Sequence, residues 1–308
     1  MEPLVSVILP TYNRAGTIVK SIQSVLGQSY QNIELIVVDD GSLDNTREVV
    51  GAIDDCRIKY IYQENAGACA ARNNGIEHSL GQFIAFQDSD DFWRPKKLEK
   101  QMDAMKLTNA DIVFCKLNSF EGGVYKGTLP RSLEQGFVSK TDNLMGIGTQ
   151  SLLARKEVFS TCMFDNAFPR WQDLEWVMRA VQKFNMYCVD EGLVDYYIGN
   201  DSISVNEEKL IRASELMIAR HPDIEKNFPI ISDNIYYALL NAGDSLREKK
   251  DRRYVHCYEL ACKYRKSFRN DMKSLLIKAK LYPCLHLISL QYEKLGIALK
   301  IVKDLCHK

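Results

Sequence analysis

The chain has 308 residues, of which 46% are hydrophobic and 26% are charged. This composition is typical of a soluble globular protein with room for one large domain and an appendage, and it excludes disordered and fibrous classes. The formal net charge is zero, but residues 1–200 carry 20 basic and 26 acidic side chains, whereas residues 201–308 carry 20 and 14. Residues 245–308 hold 16 basic and 6 acidic side chains, a basic tail that suits phosphate-rich partners or an anionic membrane surface.

The cysteines and the N-terminus bear on the compartment. The nine cysteines form no CxxC pair and no zinc-like spacing with the five histidines, which indicates free thiols in a reducing cytosol. The first residues, MEPLVSVILPTYNR, lack the basic start and cleavage site of a signal peptide. No stretch reaches 18 uninterrupted apolar residues, so no transmembrane helix is expected. We expect a cytoplasmic protein, with peripheral contact at the inner face of the cell membrane left open by the basic tail.

Short β-branched runs alternate with helical segments through the first half, a pattern typical of βαβ units. The strands predicted here are 4–10, 33–42, 58–63, 83–87 and 111–120, and the helices between them are 17–29, 44–53, 67–80 and 95–107, with Pro95 in the first turn of the last. The stretch 121–150 is expected to form loops, with room for a short antiparallel pair. A helix at 171–184 and a closing strand at 186–198 follow. The alternation predicts a doubly wound α/β sheet.

From about residue 205 the pattern is helical to the end of the sequence. Breaks are expected near Pro222, Pro229, Gly243, Phe268 and Pro283. The last stretch, 275–305, mixes apolar residues with lysines and is compatible with an interfacial helix, a helix packed on the catalytic domain or a dimer contact. The sequence leaves these three alternatives open.

Polar residues follow each of the first four predicted strands, where a doubly wound sheet binds its ligand. They are PTYNR at 10–14, DDGS at 39–42, NAG at 65–67 with Arg72 one turn further on, and DSDD at 88–91. Neither GxGxxG nor GxxxxGK[ST] is present, so a bound diphosphate would need a divalent cation and Arg72 in place of a glycine cradle. Asp88 and Asp90 are one residue apart and can point to the same side, one accepting ribose hydroxyls and the other binding Mg²⁺ or Mn²⁺. Simpler interpretations are a solvated turn at 88–91 and a turn with an N-cap at 39–42.

Six motifs stand in a characteristic order: VSVILPTYNR, IELIVVDDGSLDNT, NAGACAARNNGI, FIAFQDSDDFWRPKKLE, IGTQSLLARKEVF, and FPRWQDLEW followed by DYYIGNDSIS. On these motifs the sequence resembles the inverting family 2 glycosyltransferases of GT-A fold, over roughly residues 4–205. The resemblance implies a catalytic domain at 1–204, with a nucleotide-sugar half at about 1–120 and an acceptor half at about 121–204. A C-terminal helical region would occupy 205–308.

The resemblance also implies roles by position. Pro10, Tyr12 and Asp40 would hold the uracil of a UDP-sugar, with Asn13 and Arg72 on the nucleotide and diphosphate side. Asp88, Ser89 and Asp90 would form the DXD motif, with Asp88 near the ribose and Asp90 on Mn²⁺ or Mg²⁺. Asp173 matches the family's catalytic base, and we place Gln150, Trp171 and Gln172 on the acceptor side. Trp171 is open to a second interpretation as a packing residue.

Two departures from the family pattern concern the base and the metal. Gln172 stands where many relatives have an acidic residue, and 198–200 (IGN) stand where many carry a histidine that can join the metal or phosphate shell. We therefore expect a thin metal site with Asp90 as its one firm protein ligand. Glu175 is a rival base, but helical spacing turns it to a different face from Asp173.

The expected activity is metal-dependent, inverting transfer of a hexosyl or N-acetylhexosaminyl group from a UDP-sugar to a saccharide or lipid-linked acceptor in surface polysaccharide synthesis. Alternatives from other classes are a non-catalytic sugar-nucleotide-binding or scaffold protein and, further off, a two-carboxylate glycoside hydrolase. Nucleic-acid binding is not expected, because the basic tail lacks interleaved aromatic residues. The identity of the sugar and of the acceptor has no recognisable motif.

Overall fold

The computed structural model describes residues 2–198 and 206–264. They fall into two compact units, one ending at Leu216 and the other beginning at Met217. The predicted domain boundary after residue 204 lies outside the described residues, as do the predicted breaks at Phe268 and Pro283 and the stretch 275–305. None of the described helices combines the length and the apolar character that crossing a membrane requires. Within the described residues, Cys56, Cys69, Cys115, Cys162 and Cys188 are free thiols.

The first part of unit 1 alternates strands and helices as the sequence predicts. Its elements are β1 (Val5–Thr11), α1 (Ile18–Leu26), β2 (Ile33–Asp39), α2 (Thr46–Gly51), β3 (Ile58–Tyr62), α3 (Ala68–Glu77), β4 (Phe83–Phe86), β5 (Phe92–Trp93) and α4 (Lys97–Thr108). The strands β3, β2, β1 and β4 lie side by side in that order and are all parallel. Thr11 pairs with Asp39, so the polar residues after β1 and β2 leave the sheet at the same edge. Pro95 precedes the helix at Lys97 and is not in its first turn.

The second part of unit 1 completes a mixed sheet. Its elements are β6 (Ile112–Glu121), β7 (Val124–Leu129), β8 (Gly136–Val138), β9 (Leu152–Arg155), α5 (Lys156–Phe159), α6 (Gln172–Ala180) and β10 (Met186–Ile198). The sheet continues from β4 through β9, β6 and β10 to β5, with β9 antiparallel to both of its neighbours. The predicted antiparallel pairing within 121–150 takes the form of β7 on β6 and β8 on β10. The sequence pattern does not predict β9, because four residues are too few to show a period.

The core of unit 1 follows from alternation along the strands. Val5, Val7 and Leu9 of β1 share one core cluster with the apolar face of α1, which includes Ile18 and Ile22. Each such fully buried side chain contributes about 1.5–3 kcal/mol. The opposite face of β1 is covered by α3, whose Gly75 is so close that an added Cβ would lie 2.4 Å from Ile8 Cγ2. Helices on both faces of the sheet leave its strand ends as the open edge.

Helix α7 (Glu207–Arg220) ends just before Pro222, as predicted. Unit 2 holds α8 (Ile224–Asn227), α9 (Pro229–Glu248) and α10 (Tyr254–Tyr264), and Pro229 occupies the first turn of α9, where a missing N–H costs nothing. The predicted break at Gly243 is wrong, because α9 runs through it. A Cβ at this position would lie 2.5 Å from the Tyr258 ring, so the glycine permits close packing of α9 against α10.

Candidate active site

Three of the predicted nucleotide-side residues lie at the end of β1 and in the loop that follows it. Pro10 is buried, whereas Tyr12 is 44% exposed and presents its ring at the strand-end edge. Asn13 has a positive φ of 53°, a conformation that asparagine tolerates better than most residues. Its side-chain oxygen accepts a hydrogen bond from the N–H of Leu43 at 2.8 Å, so Asn13 fastens this loop to the one after β2.

Asp40 anchors the loop that leads into α3. Its carboxylate accepts hydrogen bonds from the backbone N–H groups of Ala66 and Gly67, both at 2.8 Å, and from the side-chain amide of Gln63 at 2.7 Å. A carboxylate has about four acceptor positions, so roughly one remains for a nucleobase N–H. The predicted nucleobase residue is therefore also a structural one.

Arg72 and Asp88 form an ion pair at the end of β4. Nη2 of Arg72 lies 2.9 Å from Oδ1 of Asp88, and the arginine side chain is only 8% exposed. The Nε–H of Arg72 is buried and has no hydrogen-bond partner among the described residues. An unpaired buried donor is costly, and a ligand oxygen would satisfy it. Arg72 therefore has capacity for an anionic ligand beyond its pairing with Asp88.

Asp90 is the more exposed member of the DXD pair. Its side chain is 44% exposed and lies 3.4 Å from the guanidinium of Arg14, while Ser89 between the two aspartates is buried. Burial at the strand end, followed by the charge of Asp88, raises the pKa of Asp90. The described residues contain no group of three or more histidine, cysteine or acidic side chains able to hold a metal ion. Asp90 offers one partly exposed carboxylate, a ligand type that hard cations such as Mg²⁺ and Mn²⁺ accept.

Asp91 directly follows Asp90 in sequence, and its side chain is buried. Its carboxylate accepts hydrogen bonds from the side-chain amide of Gln150 at 2.9 Å and from the backbone N–H of Tyr197 at 3.0 Å. Burial, then the charges of Asp88 and Asp90, holds the pKa of Asp91 well above its usual range. Each of its oxygens accepts one hydrogen bond, so Asp91 ties the loop after β4 to Gln150 and Tyr197.

A cleft of about 320 Å³ lies beside the Arg72–Asp88 pair. Its lining includes six of the predicted site residues: Arg72, Asp88, Gln150, Trp171, Gln172 and Asp173. The predicted residues outside this lining are Pro10, Tyr12, Asn13, Asp40, Ser89 and Asp90. The structure therefore brings the diphosphate-side and acceptor-side predictions together, and the nucleobase-side residues lie along the edge formed by the loops after β1 and β2.

Asp173 lies in the first turn of α6 and faces this cleft. One carboxylate oxygen accepts a hydrogen bond from the N–H of Leu174 at 2.8 Å. Burial raises the pKa of Asp173, and the nearby charge of Asp88 adds to the rise, while Arg72 opposes it. A carboxylate with a raised pKa is a stronger base than an exposed one, which suits proton abstraction near neutral pH.

The neighbours of Asp173 divide between cleft and core. Glu175 is buried and forms two hydrogen bonds with Arg179, at 2.7 and 2.8 Å, so the predicted turn to another face is confirmed. Trp171 lines the cleft and has a left-handed backbone with a φ of 59°, which is an outlier for a bulky residue. The side-chain amide of Gln172 donates to the carbonyl of Phe168 at 3.0 Å. A strained backbone such as that of Trp171 is characteristic of functional sites.

Arg170 and Tyr196 are among the polar residues of the cleft that sequence reasoning missed. The guanidinium of Arg170 lies 5.1 Å from the centre of the Trp171 ring. Burial raises the pKa of the Tyr196 phenol to about 12, with the charge of Asp91 as the next cause. The only sequence signal for either was its position inside a quoted motif, FPRWQDLEW or DYYIGNDSIS.

Comparisons with known proteins identify the family of this chain. A sequence model described as "Glycosyl transferase family 2" matches residues 6–167, which is more than half of the chain. The chain belongs to glycosyl transferase family 2 and is a glycosyltransferase.

Two curated relatives match about two thirds of the chain. TuaG of Bacillus subtilis (strain 168), provisionally named a teichuronic acid biosynthesis glycosyltransferase, is 34% identical over 215 residues, covering 68% of this chain and 84% of the relative. WfgD of Escherichia coli, named a UDP-Glc:alpha-D-GlcNAc-diphosphoundecaprenol beta-1,3-glucosyltransferase, is 34% identical over 214 residues, covering 68% and 83%.

A solved structure supports the fold. Staphylococcus aureus TarS, residues 1–349, crystallised in complex with UDP, superposes with a TM-score of 0.65 at 18% identity and covers 92% of this chain and 86% of its own. A second TarS structure holds UDP-GlcNAc and has the same TM-score. The predicted GT-A fold is confirmed.

Proposed function

We propose that this chain transfers one sugar from a UDP-sugar to a hydroxyl group of a saccharide or lipid-linked saccharide, with inversion at the anomeric carbon, in building a bacterial surface polysaccharide. The observation that carries the proposal is the single cleft that joins the Arg72–Asp88 pair to the carboxylate of Asp173. An ion pair that can take a diphosphate and a base with a raised pKa are the two parts that such a transfer requires.

The donor would lie along the edge formed by the first four strand ends. The exposed ring of Tyr12 suits stacking on uracil, and the unpartnered Nε–H of Arg72 suits a phosphate oxygen. A UDP-sugar donor is supported by the names of relatives, since WfgD is named for UDP-Glc and TarS was crystallised with UDP and UDP-GlcNAc. TarS also shares the fold of this chain.

A divalent cation, Mn²⁺ or Mg²⁺, would be held by Asp90 and, when bound, would neutralise negative charge on the departing diphosphate. Asp88 would accept hydrogen bonds from ribose hydroxyls while remaining paired with Arg72. Asp91 would keep the loop that carries both residues fixed against Gln150. The protein would thus orient the diphosphate and supply one ligand to the cation, and the substrate would supply further ligands.

Asp173 would act as the base. Its carboxylate takes the proton of the acceptor hydroxyl while that oxygen bonds to the anomeric carbon, and the bond from this carbon to the UDP oxygen breaks. Because one displacement occurs, with the base on the acceptor side, the configuration inverts and an α-linked donor gives a β-linked product. Arg72 stabilises the negative charge on UDP as it leaves.

The names of two relatives bear on the acceptor and on the location of the protein. WfgD is named for a diphosphoundecaprenol-linked acceptor, and TuaG for teichuronic acid synthesis. We propose a cytoplasmic enzyme whose basic tail brings it to the inner face of the membrane. Flotation on anionic and on zwitterionic liposomes, with the full chain and with a chain ending after Tyr264, tests the membrane contact. Equal binding by the two chains would contradict it.

The transfer itself is tested by incubating a panel of UDP-sugars with Mn²⁺ or Mg²⁺ and with saccharide or diphospholipid-linked saccharide acceptors, and measuring UDP release. We expect acceptor-stimulated release that chelation abolishes. Tight UDP binding without turnover on any acceptor would favour a scaffold protein, and hydrolysis of a saccharide without any nucleotide would favour a glycoside hydrolase. A β-linked product from an α-linked donor, identified by NMR, establishes inversion.

A further inference from the structure

Arg170 is a cation on the acceptor side of the cleft that the proposed transfer does not use. It lines the cleft together with Trp171 and Asp173, and its guanidinium lies 5.1 Å from the centre of the Trp171 ring. The side chain is partly buried. Stacking on an aromatic face holds a guanidinium in place and leaves its N–H groups free to bind a ligand.

Within the described parts of the chain, Arg170 forms no hydrogen bond and no ion pair. The other arginine of the cleft, Arg72, is paired with Asp88, and Arg179 further along α6 is paired with Glu175. Burial lowers the pKa of Arg170, and no neighbouring carboxylate opposes that effect. A partly desolvated cation without a counter-charge is unfavourable. A ligand anion that binds the guanidinium would offset this desolvation cost.

The location assigns this anion to the acceptor. The donor diphosphate has its own cation in Arg72, which is paired with Asp88. Arg170 instead stands three residues before Asp173, the base that faces the attacking hydroxyl. A guanidinium fork fits phosphate and carboxylate oxygens, which can each accept two parallel hydrogen bonds.

We infer that Arg170 is an anion-recognition site for the acceptor, so that the preferred acceptor carries a phosphate or carboxylate group near the hydroxyl that is glycosylated. The inference deepens the proposed function and rests on its assignment of this side of the cleft to the acceptor. The shared chemistry has two sources, a phosphate at the reducing end of a lipid-linked saccharide and the carboxylate of an acidic sugar.

Calorimetry with saturating UDP tests the site directly, because UDP fills the diphosphate position and a phosphate probe cannot occupy it. The probes are glucose 1-phosphate, glucuronic acid and neutral methyl glucoside. We expect wild-type protein to bind one of the two anionic probes at least tenfold more tightly than methyl glucoside, and the tighter anion identifies the source. In Arg170→Gln this preference falls by about 10- to 100-fold, as expected for loss of a charge-assisted hydrogen bond.

Two further variants complete the test. Arg170→Lys keeps the charge without the fork and should retain part of the preference, and Arg212→Gln, at an exposed position of α7, should keep all of it. Thermal unfolding of each variant checks that the fold is intact. Equal binding of all three probes by the wild type, or an unchanged preference in folded Arg170→Gln, would overturn the inference. A preserved anion preference in a protein that transfers no sugar would keep the subsite and refute the proposed function.

Discussion

The carboxylate of Asp91 links Gln150, which lines the cleft, to Tyr197 of β10. Its Oδ2 accepts a hydrogen bond from the side-chain amide of Gln150 at 2.9 Å, and its Oδ1 accepts one from the backbone N–H of Tyr197 at 3.0 Å. The backbone carbonyl of the same residue accepts the hydroxyl of Ser21 at 2.8 Å. The loop after β4 is therefore fastened at once to the acceptor side, to β10 and to α1.

Asp91→Asn should weaken this junction. An asparagine side chain has one oxygen, so its NH₂ group would face either the amide of Gln150 or the N–H of Tyr197, and two donors would oppose each other. We expect the cost of the opposed donors to exceed the gain from removing a buried charge with a raised pKa, for a net loss of about 1 kcal/mol in the free energy of unfolding, measured by urea denaturation. Sugar transfer should also slow, because Asp88 and Asp90 lie on the loosened loop. Asp103→Asn, at an exposed position of α4, is the matched control. If Asp91→Asn is as stable as the wild type, the hydrogen bonds to Gln150 and Tyr197 do not stabilise the fold as proposed.

The sequence predicts the parts of this site that depend on strand order. Strands β1 to β4 alternate with helices, so the residues at 10–14, 39–42 and 88–91 had to meet at one edge. Asp173 was identified through a motif of the family, and in the structure it lines the cleft. In both cases a local pattern determines the position.

The roles of Asp91 and Arg170 could not be predicted, because each depends on contacts between distant segments. The partners of Asp91 are 59 and 106 residues away. Arg170 is distinguished by the lack of a counter-charge among the described residues, which no sequence pattern records. Strand β9 was missed for the same reason, since its place between β4 and β6 is set by pairing across the sheet.

Gly243 gives a test of unit 2. Its Cβ position lies 2.5 Å from the Tyr258 ring, so Gly243→Ala must push α9 and α10 apart although alanine favours helix. We expect a loss of about 1–3 kcal/mol in the free energy of unfolding of this unit, by thermal or urea denaturation. Gly51→Ala in α2, where the added methyl group meets nothing within 4 Å, should change stability by less than about 1 kcal/mol. Equal effects of the two substitutions would contradict the packing role.

Lys97 gives a pH-dependent prediction. Its side chain is fully buried, with Nζ 2.8 Å from Oε1 of Gln101 and 3.8 Å from the centre of the Trp93 ring. Burial lowers the pKa of Lys97 to about 8. Between about pH 8 and 10.5 the folded state has released this proton while the unfolded state still binds it, so unfolding takes up a proton and stability rises with pH.

The rise attributed to Lys97 should be absent from Lys97→Met. Urea denaturation across pH 8 to 10.5 should show the wild type gaining up to about 3 kcal/mol relative to this variant. Lys106→Met, at an exposed position of the same helix, should follow the wild type throughout. Parallel pH curves for wild type and Lys97→Met would mean that the buried amine does not titrate in this window.

Asp173→Asn tests the base. The amide has the same shape as the carboxylate but cannot take a proton, so we expect transfer to fall by about 10²- to 10⁴-fold. UDP affinity, measured by calorimetry, should stay close to the wild-type value, because Arg72 and Asp88 are unchanged. Asp103→Asn again serves as the control for both measurements. Wild-type transfer rates in Asp173→Asn would refute the assignment of the base.

Asp173→Asn also tests how stability depends on pH. Asp173 should make stability fall as the pH rises, whereas Lys97 should make it rise. Burial raises the pKa of Asp173, so the folded state holds the proton to a higher pH than the unfolded state does. Unfolding then releases a proton, and stability falls as the pH rises from the ordinary aspartate value of about 4 through the raised value. Above that window the buried charge destabilises the fold, and asparagine does not carry it. Asp173→Asn should therefore unfold at a higher temperature than the wild type at pH 7, with the difference vanishing below about pH 4. A variant that is inactive and also less stable at pH 7 would show that the carboxylate holds the fold together, which would remove the physical basis for its raised pKa.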